Sequence, residues 1–208
     1  MTNILVIAPH PDDETLGCGG TLLKHSARNE KIHWLIMTNA DESGGFSEEF
    51  RKSREKEIEL VSSMYKFKSV HRTNFCASSL DERPMTDIIN AISEVLNEVK
   101  PDIIYIPNRN DAHTDHTYVF DAMASCTKSF RYPYIKKVMV YETISETEFS
   151  IKDDYNSFRP NLWVNVSDYL HDKINIMSVY ESELKPHPFP RSKKNIEALA
   201  TFRGATAG

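Results

Sequence analysis

Ile4-Leu5-Val6-Ile7-Ala8, running straight into Pro9-His10-Pro11-Asp12-Asp13-Glu14, is the stretch on which the fold turns. Its continuous apolar run, rich in β-branched residues, lacks the alternation of a strand with one wet face and fits a strand buried on both faces, as in a parallel sheet. Parallel neighbours need crossover connections, and the chain supplies them. After Gly17-Cys18-Gly19-Gly20, the segment Thr21 to Asn29 sets Leu22, Leu23 and Ala27 on one side, a helical distribution. A second buried strand reads from Ile32 to Thr38, followed by the polar loop Asp41 to Gly45 and a charged helix over Glu48 to Tyr65.

The same alternation continues. A strand is expected near Val70 to Asn74, and Ile88, Ile89, Ile92, Val95, Leu96 and Val99 recur at helical spacing until Pro101 stops them. Ile103 to Ile106 reads as the next buried strand, and Val119, Phe120, Met123 and Ala124 form the apolar face of the helix after it. Strands near Lys137 to Tyr141 and Leu162 to Val166, then helices near Asp168 to Tyr180 and Ser192 to Arg203, complete one α/β domain over residues 1–208, a mostly parallel sheet with helices on both faces. Trp34 and Trp163 fall within apolar strand-like runs and are expected in the core.

A net charge of −5 with scattered Lys and Arg gives no basis for nucleic acid as a partner, and no apolar run reaches the ~20 residues that span a bilayer. The first strand begins at once, leaving no room for a signal peptide, and Cys18, Cys76 and Cys126 form no disulfide framework, so a cytoplasmic location is expected.

In open α/β sheets, ligands bind beyond the carboxyl ends of the strands, where the loops after Ala8 and Ile106 meet. The first carries His10, Asp12 and Asp13; the second carries Asp111, His113, Asp115 and His116. Two histidines and a carboxylate can hold Zn²⁺ or Fe²⁺ with one position left open for catalysis. Simpler roles compete: Asp12 or Asp13 can cap a helix, and His116, at helical spacing from Val119, Phe120 and Met123, can be a satisfied core histidine.

Pro9-His10-Pro11-Asp12-Asp13-Glu14 with Gly17-Cys18-Gly19-Gly20 resembles the (A/P)HPDDE signature of the PIG-L/LmbE-like deacetylases, and His113-Thr114-Asp115-His116 resembles their second signature, HxDH. Arg54 to Glu57 is similar to their R-x-x-E motif, and Pro188-Phe189-Pro190-Arg191-Ser192 to their C-terminal region, although the A-E-x-F-like tail typical of members does not follow. The resemblance implies a Rossmann-like three-layer sandwich, a Zn²⁺ site in which Fe²⁺ or another divalent transition metal can substitute, and hydrolysis of the N-acetyl group of a small N-acetylglucosamine-type sugar or conjugate. It assigns His10, Asp13 and His116 to the metal, Asp12 to the general base and His113 to the carbonyl oxygen or the leaving amine.

Those roles are chemically coherent: a divalent metal lowers the pKa of bound water toward ~7, and Asp12 stands beside a ligand with reach to its proton. Asp115 can hold the His113 ring and raise its pKa, or cap the following helix. Arg54 and His187 are candidate substrate contacts, although an arginine in so charged a helix is more often solvated or ion-paired; Cys18, between glycines, reads as a small buried residue rather than a nucleophile. Two other readings use the same residues. One is a metal-dependent phosphoester hydrolase. The other is a non-catalytic nucleotide-binding module, for which Gly17 to Gly20 lacks the G-x-G-x-x-G spacing and carries an acidic pair before it. The loops Asp41 to Ser47 and Arg72 to Met85 are expected to set the substrate, and assembly into a homo-oligomer is compatible with the sequence.

Overall fold

The computed structural model describes residues 1–151 and 157–208. In chain order its elements are β1 (Asn3–Ala8), α1 (Asp13–Ala27), β2 (Lys31–Asn39), α2 (Glu48–Tyr65), β3 (Ser69–Cys76), α3 (Met85–Val99), β4 (Ile103–Pro107), α4 (Thr114–Ser125), β5 (Lys137–Tyr141), α5 (Leu170–Met177) and α6 (Lys193–Ala207). The sheet runs β3-β2-β1-β4-β5, and every pairing in it is parallel. This is the three-layer α/β architecture that the apolar runs lead one to expect.

The pleat explains why β1 carries no polar residue after its first. Ile4, Val6 and Ala8 pack toward α1, α2, α5 and α6 on one face, whereas Leu5 and Ile7 pack toward α3 and α4 on the other. Chain order reverses between β1 and β4, because β2 and β3 are laid down to one side of β1 and β4 and β5 to the other. That reversal opens a crevice at the carboxyl ends of the two central strands, and the loops leaving β1 and β4 line it.

Three expectations fail. The helix read from Thr21 starts at Asp13, so Gly17 to Gly20 lie inside α1 rather than in a loop ahead of it. The segment Leu162 to Val166 is not a strand; it crosses α1, where a side chain on Gly20 would come within 2.9 Å of Val166 Cβ and where Lys24 Nζ donates to Asn165 O. Its apolar run had suggested a strand, but the glycine surface of α1 gives Val166 a seat off the sheet. Trp163 on that segment is 41% exposed and is not core, while Trp34 in β2 is fully buried.

The glycines of α1 therefore serve close packing. A Cβ on Gly17 would lie 2.2 Å from the Tyr141 ring, whose hydroxyl donates to Ile7 O at the end of β1, and one on Gly19 would lie 2.5 Å from Tyr65 Oη. Gly17→Ala gains about 1 kcal/mol of helix propensity, but overlap of this depth in a filled core costs about 1–3 kcal/mol and also displaces the Tyr141 hydroxyl. The overlap should win by up to about 2 kcal/mol, lowering the melting temperature by up to roughly 8 °C in a chain of this size; an unchanged or higher melting temperature in a thermal scan would contradict this packing role.

Candidate metal centre

Backbone contacts fix the loop after β1 before any side chain acts. Thr38 in β2 donates both its N–H and its hydroxyl to Pro9 O, at 3.1 and 2.7 Å, which pins the start of the motif. Asp12 then adopts φ 135°, a left-handed conformation that L residues other than glycine rarely tolerate, and its carbonyl receives the N–H groups of Thr15 and Leu16 to start α1. Strain of this kind persists where surrounding structure over-determines it, commonly at functional sites. Although Asp12 occupies the N-cap position, its carboxylate makes no capping bond. The capping role weighed from the sequence is thus not what holds its side chain.

Asp13 follows in the first helical turn, buried, and its Oδ2 is the hub of the centre. It accepts the His10 N–H at 2.9 Å and stands 3.3 Å from His10 Nδ1 and 3.2 Å from His116 Nε2. Each imidazole is steadied from behind by a further carboxylate. His10 Nε2 meets Asp115 Oδ2 at 3.0 Å, and His116 Nδ1 meets Asp111 Oδ2 at 2.8 Å. Asp111 is itself held by Asn108 Nδ2 and Thr147 Oγ1.

Charge follows this geometry. Burial pulls the His10 pKa down, but hydrogen bonds to Asp115 and Asp13 outweigh it and raise it to about 9; for His116 the Asp13 charge and the Asp111 bond outweigh burial and raise it to about 10. Burial would raise Asp13, yet the neighbouring imidazoles hold it well below the usual carboxylate range. The pocket is organised to hold positive charge between two imidazoles and one carboxylate.

Two imidazoles and one carboxylate are a donor set that can hold a divalent cation. His10, Asp13 and His116 each offer one atom, all within 4.8 Å of one another; His10, His113 and Asp115 satisfy the same distance test. The first trio fits better, because Asp115 is already committed: besides His10 it accepts the N–H groups of Ser78 and Leu80. Histidine ligands backed by outer carboxylates are the usual construction of a metal centre, and loss of such a partner costs about 10–100-fold in metal affinity. Asp111→Ala should therefore weaken Zn²⁺ binding by about that factor, measured by competition with a chromogenic chelator; unchanged affinity would remove Asp111 from the centre.

Asp115 does not hold the His113 ring as expected. Its carboxylate steadies His10 instead, and His113 is the N-cap of α4, its Nδ1 accepting the Asp115 N–H at 3.1 Å. Burial first, and the His10 charge second, depress the His113 pKa to about 4, opposite to the expected rise. With Nδ1 occupied as an acceptor, the ring's hydrogen is on Nε2, 3.3 Å from Ser78 Oγ at the cleft wall.

The second half of the cleft comes from afar. Arg191, 179 residues from Asp12 in sequence, places Nη1 2.9 Å from Asp12 Oδ2 and 2.9 Å from Glu183 Oε2, with Nη2 3.1 Å from Glu146 Oε1. Burial, then the charge of Asp13, push the Asp12 pKa well above the carboxylate range, and Arg191 opposes them. Arg54 lines the same cleft but is ion-paired to Glu57 and Glu183 and donates to Pro11 O. His187 is exposed and is not part of the cleft lining, and Cys18 is buried with its thiol pKa pushed up, as a packing residue would be.

Sequence reading noted Asp111 and Arg191 within motifs without assigning either a role, and it missed Glu146 and Glu183. For Asp111 the signal was its place five residues before His116 in the same polar loop; for Arg191, nothing local tied it to Asp12. The cleft has a volume of about 200 Å³, below the ~300–1,000 Å³ of sites that engulf a drug-sized ligand. A second, larger cavity of about 450 Å³, beside Asn108, Glu142 and Arg203, includes none of His10, Asp13 and His116.

Among characterised proteins, a diacetylchitobiose deacetylase from Thermococcus kodakarensis is 21% identical over 100% of this chain and 80% of its own length. The solved N,N'-diacetylchitobiose deacetylase from Pyrococcus horikoshii, complexed with an inhibitor, superposes with a TM-score of 0.76 at 22% identity, covering 100% of this chain and 80% of that one. A 4-carboxy-2-hydroxymuconate hydratase from Pseudomonas putida shares the fold with a TM-score of 0.68 at 15% identity over 100% and 88%, so fold alone does not fix the reaction. The family model described as GlcNAc-PI de-N-acetylase matches residues 5–127, which carry both loops of the His and Asp cluster, and the chain belongs to that PIG-L family.

Proposed function

We propose that this protein is a metal-dependent N-deacetylase that hydrolyses the acetamide of an N-acetylglucosamine-type sugar or conjugate. The observation that carries the reading is Asp13 Oδ2 set between two imidazoles that are each steadied by a second carboxylate, with Asp12 beside them uncommitted to capping. Family membership and the deacetylase relatives support the acetamide as the bond attacked.

His10, Asp13 and His116 would hold Zn²⁺, with Fe²⁺ as an alternative. When bound, such an ion supplies Lewis acidity that polarises the amide carbonyl and lowers the pKa of water. Asp12 takes the proton of the attacking water and passes it to the amine nitrogen as the C–N bond breaks, and its strained backbone and the Arg191 contact hold the carboxylate in one orientation for that transfer. His113 contributes its Nε2–H to the carbonyl oxygen as negative charge develops there, a donor that works without a protonated ring. Asp115 acts by holding His10 in place. Three buried, unpaired cysteines suit a cytoplasmic setting, and among the described residues no helix is long and apolar enough to cross a membrane.

The nucleotide-binding reading draws no support from glycines packed inside α1 against Tyr141 and Tyr65. Acetate release across a panel of N-acetyl amino sugars, measured before and after dialysis against chelator and again after adding Zn²⁺, tests the proposal. Release that is lost with chelator and restored by metal is expected. Phosphate release from phosphorylated members of the panel without acetate release would favour the phosphoester reading instead.

A further inference from the structure

We infer that the substrate of this cleft is an uncharged N-acetylated saccharide, and that anionic conjugates of the same sugar are disfavoured because both guanidinium groups in the wall are committed to internal carboxylates. This rests on the deacetylase reading for its chemistry and goes beyond it in naming the class of group attached to the sugar.

Arg54 and Arg191 are the only Arg or Lys side chains lining the cleft among the described residues. Each is held at all three of its nitrogens by acceptors of the protein itself. Arg54 uses Nε on Glu57 at 3.2 Å, Nη1 on Pro11 O at 2.9 Å, and Nη2 on Glu183 at 2.7 Å and Ser182 at 3.0 Å. Arg191 uses Nε on Ser145 at 2.6 Å, Nη1 on Asp12 and Glu183 at 2.9 Å each, and Nη2 on Glu146 at 3.1 Å. Glu183 bridges both guanidinium groups, so two cations are shared among Glu57, Glu183, Asp12 and Glu146.

Turning either arginine toward a phosphate or carboxylate would leave Glu183 and a second largely buried carboxylate short of a partner, and breaking such pairs is costly. An anion placed here without that rearrangement would stand beside Glu146 and Glu183, and like charges brought together at an interface are strongly unfavourable. The wall offers an uncharged ligand something better. Phe46 and Phe50 stack with centroids 5.3 Å apart on the side of the cleft where Arg54 lies over Phe50 at 5.2 Å, an apolar ledge suited to the C–H face of a pyranose.

The carboxymethyl glycoside of N-acetylglucosamine and its primary amide are nearly isosteric and differ in charge, so they make a direct test with the Zn²⁺-loaded full chain. The amide should be favoured by about tenfold or more in kcat/KM, and the preference should shrink as salt rises, since part of it is like-charge repulsion. Equal rates, or faster turnover of the carboxylate, would overturn the inference. Glu183→Gln, checked for folding by its melting curve, removes the shared carboxylate and should narrow the ratio, and an unchanged ratio would refute the role given to Glu183. Should neither compound release acetate, the deacetylase reading itself fails; calorimetric binding of the same pair then decides the inference, with tighter binding of the amide supporting it and equal or tighter binding of the carboxylate ending it.

Discussion

Asp12→Asn is expected to lower acetate release by about 10²–10⁴-fold while metal content stays at the level of the unaltered protein. Asparagine keeps the size of the side chain and is among the residues that best tolerate positive φ, so the backbone at 135° should survive. It cannot accept a proton at neutral pH. Arg191 loses one of its carboxylate partners but keeps Glu183 and Glu146, which should hold the C-terminal segment against the cleft. Turnover within tenfold of the original would exclude Asp12 as the base, and parallel loss of metal would make it a structural residue.

Asp13→Ala should act on the other quantity. Its carboxylate is the group that both imidazoles face, at 3.3 and 3.2 Å, and without it His10 and His116 confront each other with no anion between them. Zn²⁺ affinity should fall by more than the ~100-fold upper range for outer carboxylates such as Asp111, with acetate release at background. Metal analysis after gel filtration, beside the chelator competition used for Asp111→Ala, reads this directly. Stoichiometric metal in the variant would place the ion elsewhere. The paired outcome is diagnostic: Asp12→Asn separates activity from metal, whereas Asp13→Ala removes both.

Legibility in the sequence tracked the range of the interaction responsible. Strands β1 and β4 were readable because burial on both faces forces an unbroken apolar run over Ile4 to Ala8 and Ile103 to Ile106, whereas the edge strands β3 and β5 are only partly buried and carry polar residues or exposed positions. Leu162 to Val166 misled because the same residue types also suit a segment lying on a glycine surface, and that surface belongs to α1, far away in the chain. The start of α1 was misplaced because Asp12 enters the helix through a backbone conformation that no propensity favours.

The sequence by itself determined the layered fold and the kinds of donor at the two central strand ends, because strand burial and crossover order bring the loops after β1 and β4 to one crevice. Only the tertiary structure decided which group serves which. Asp115, adjacent to His116 in sequence, steadies His10 across the crevice, and Arg191 reaches Asp12 from the far end of the chain. Side-chain partners across a crevice depend on where strands and helices come to rest, and a local pattern of residues carries no record of that.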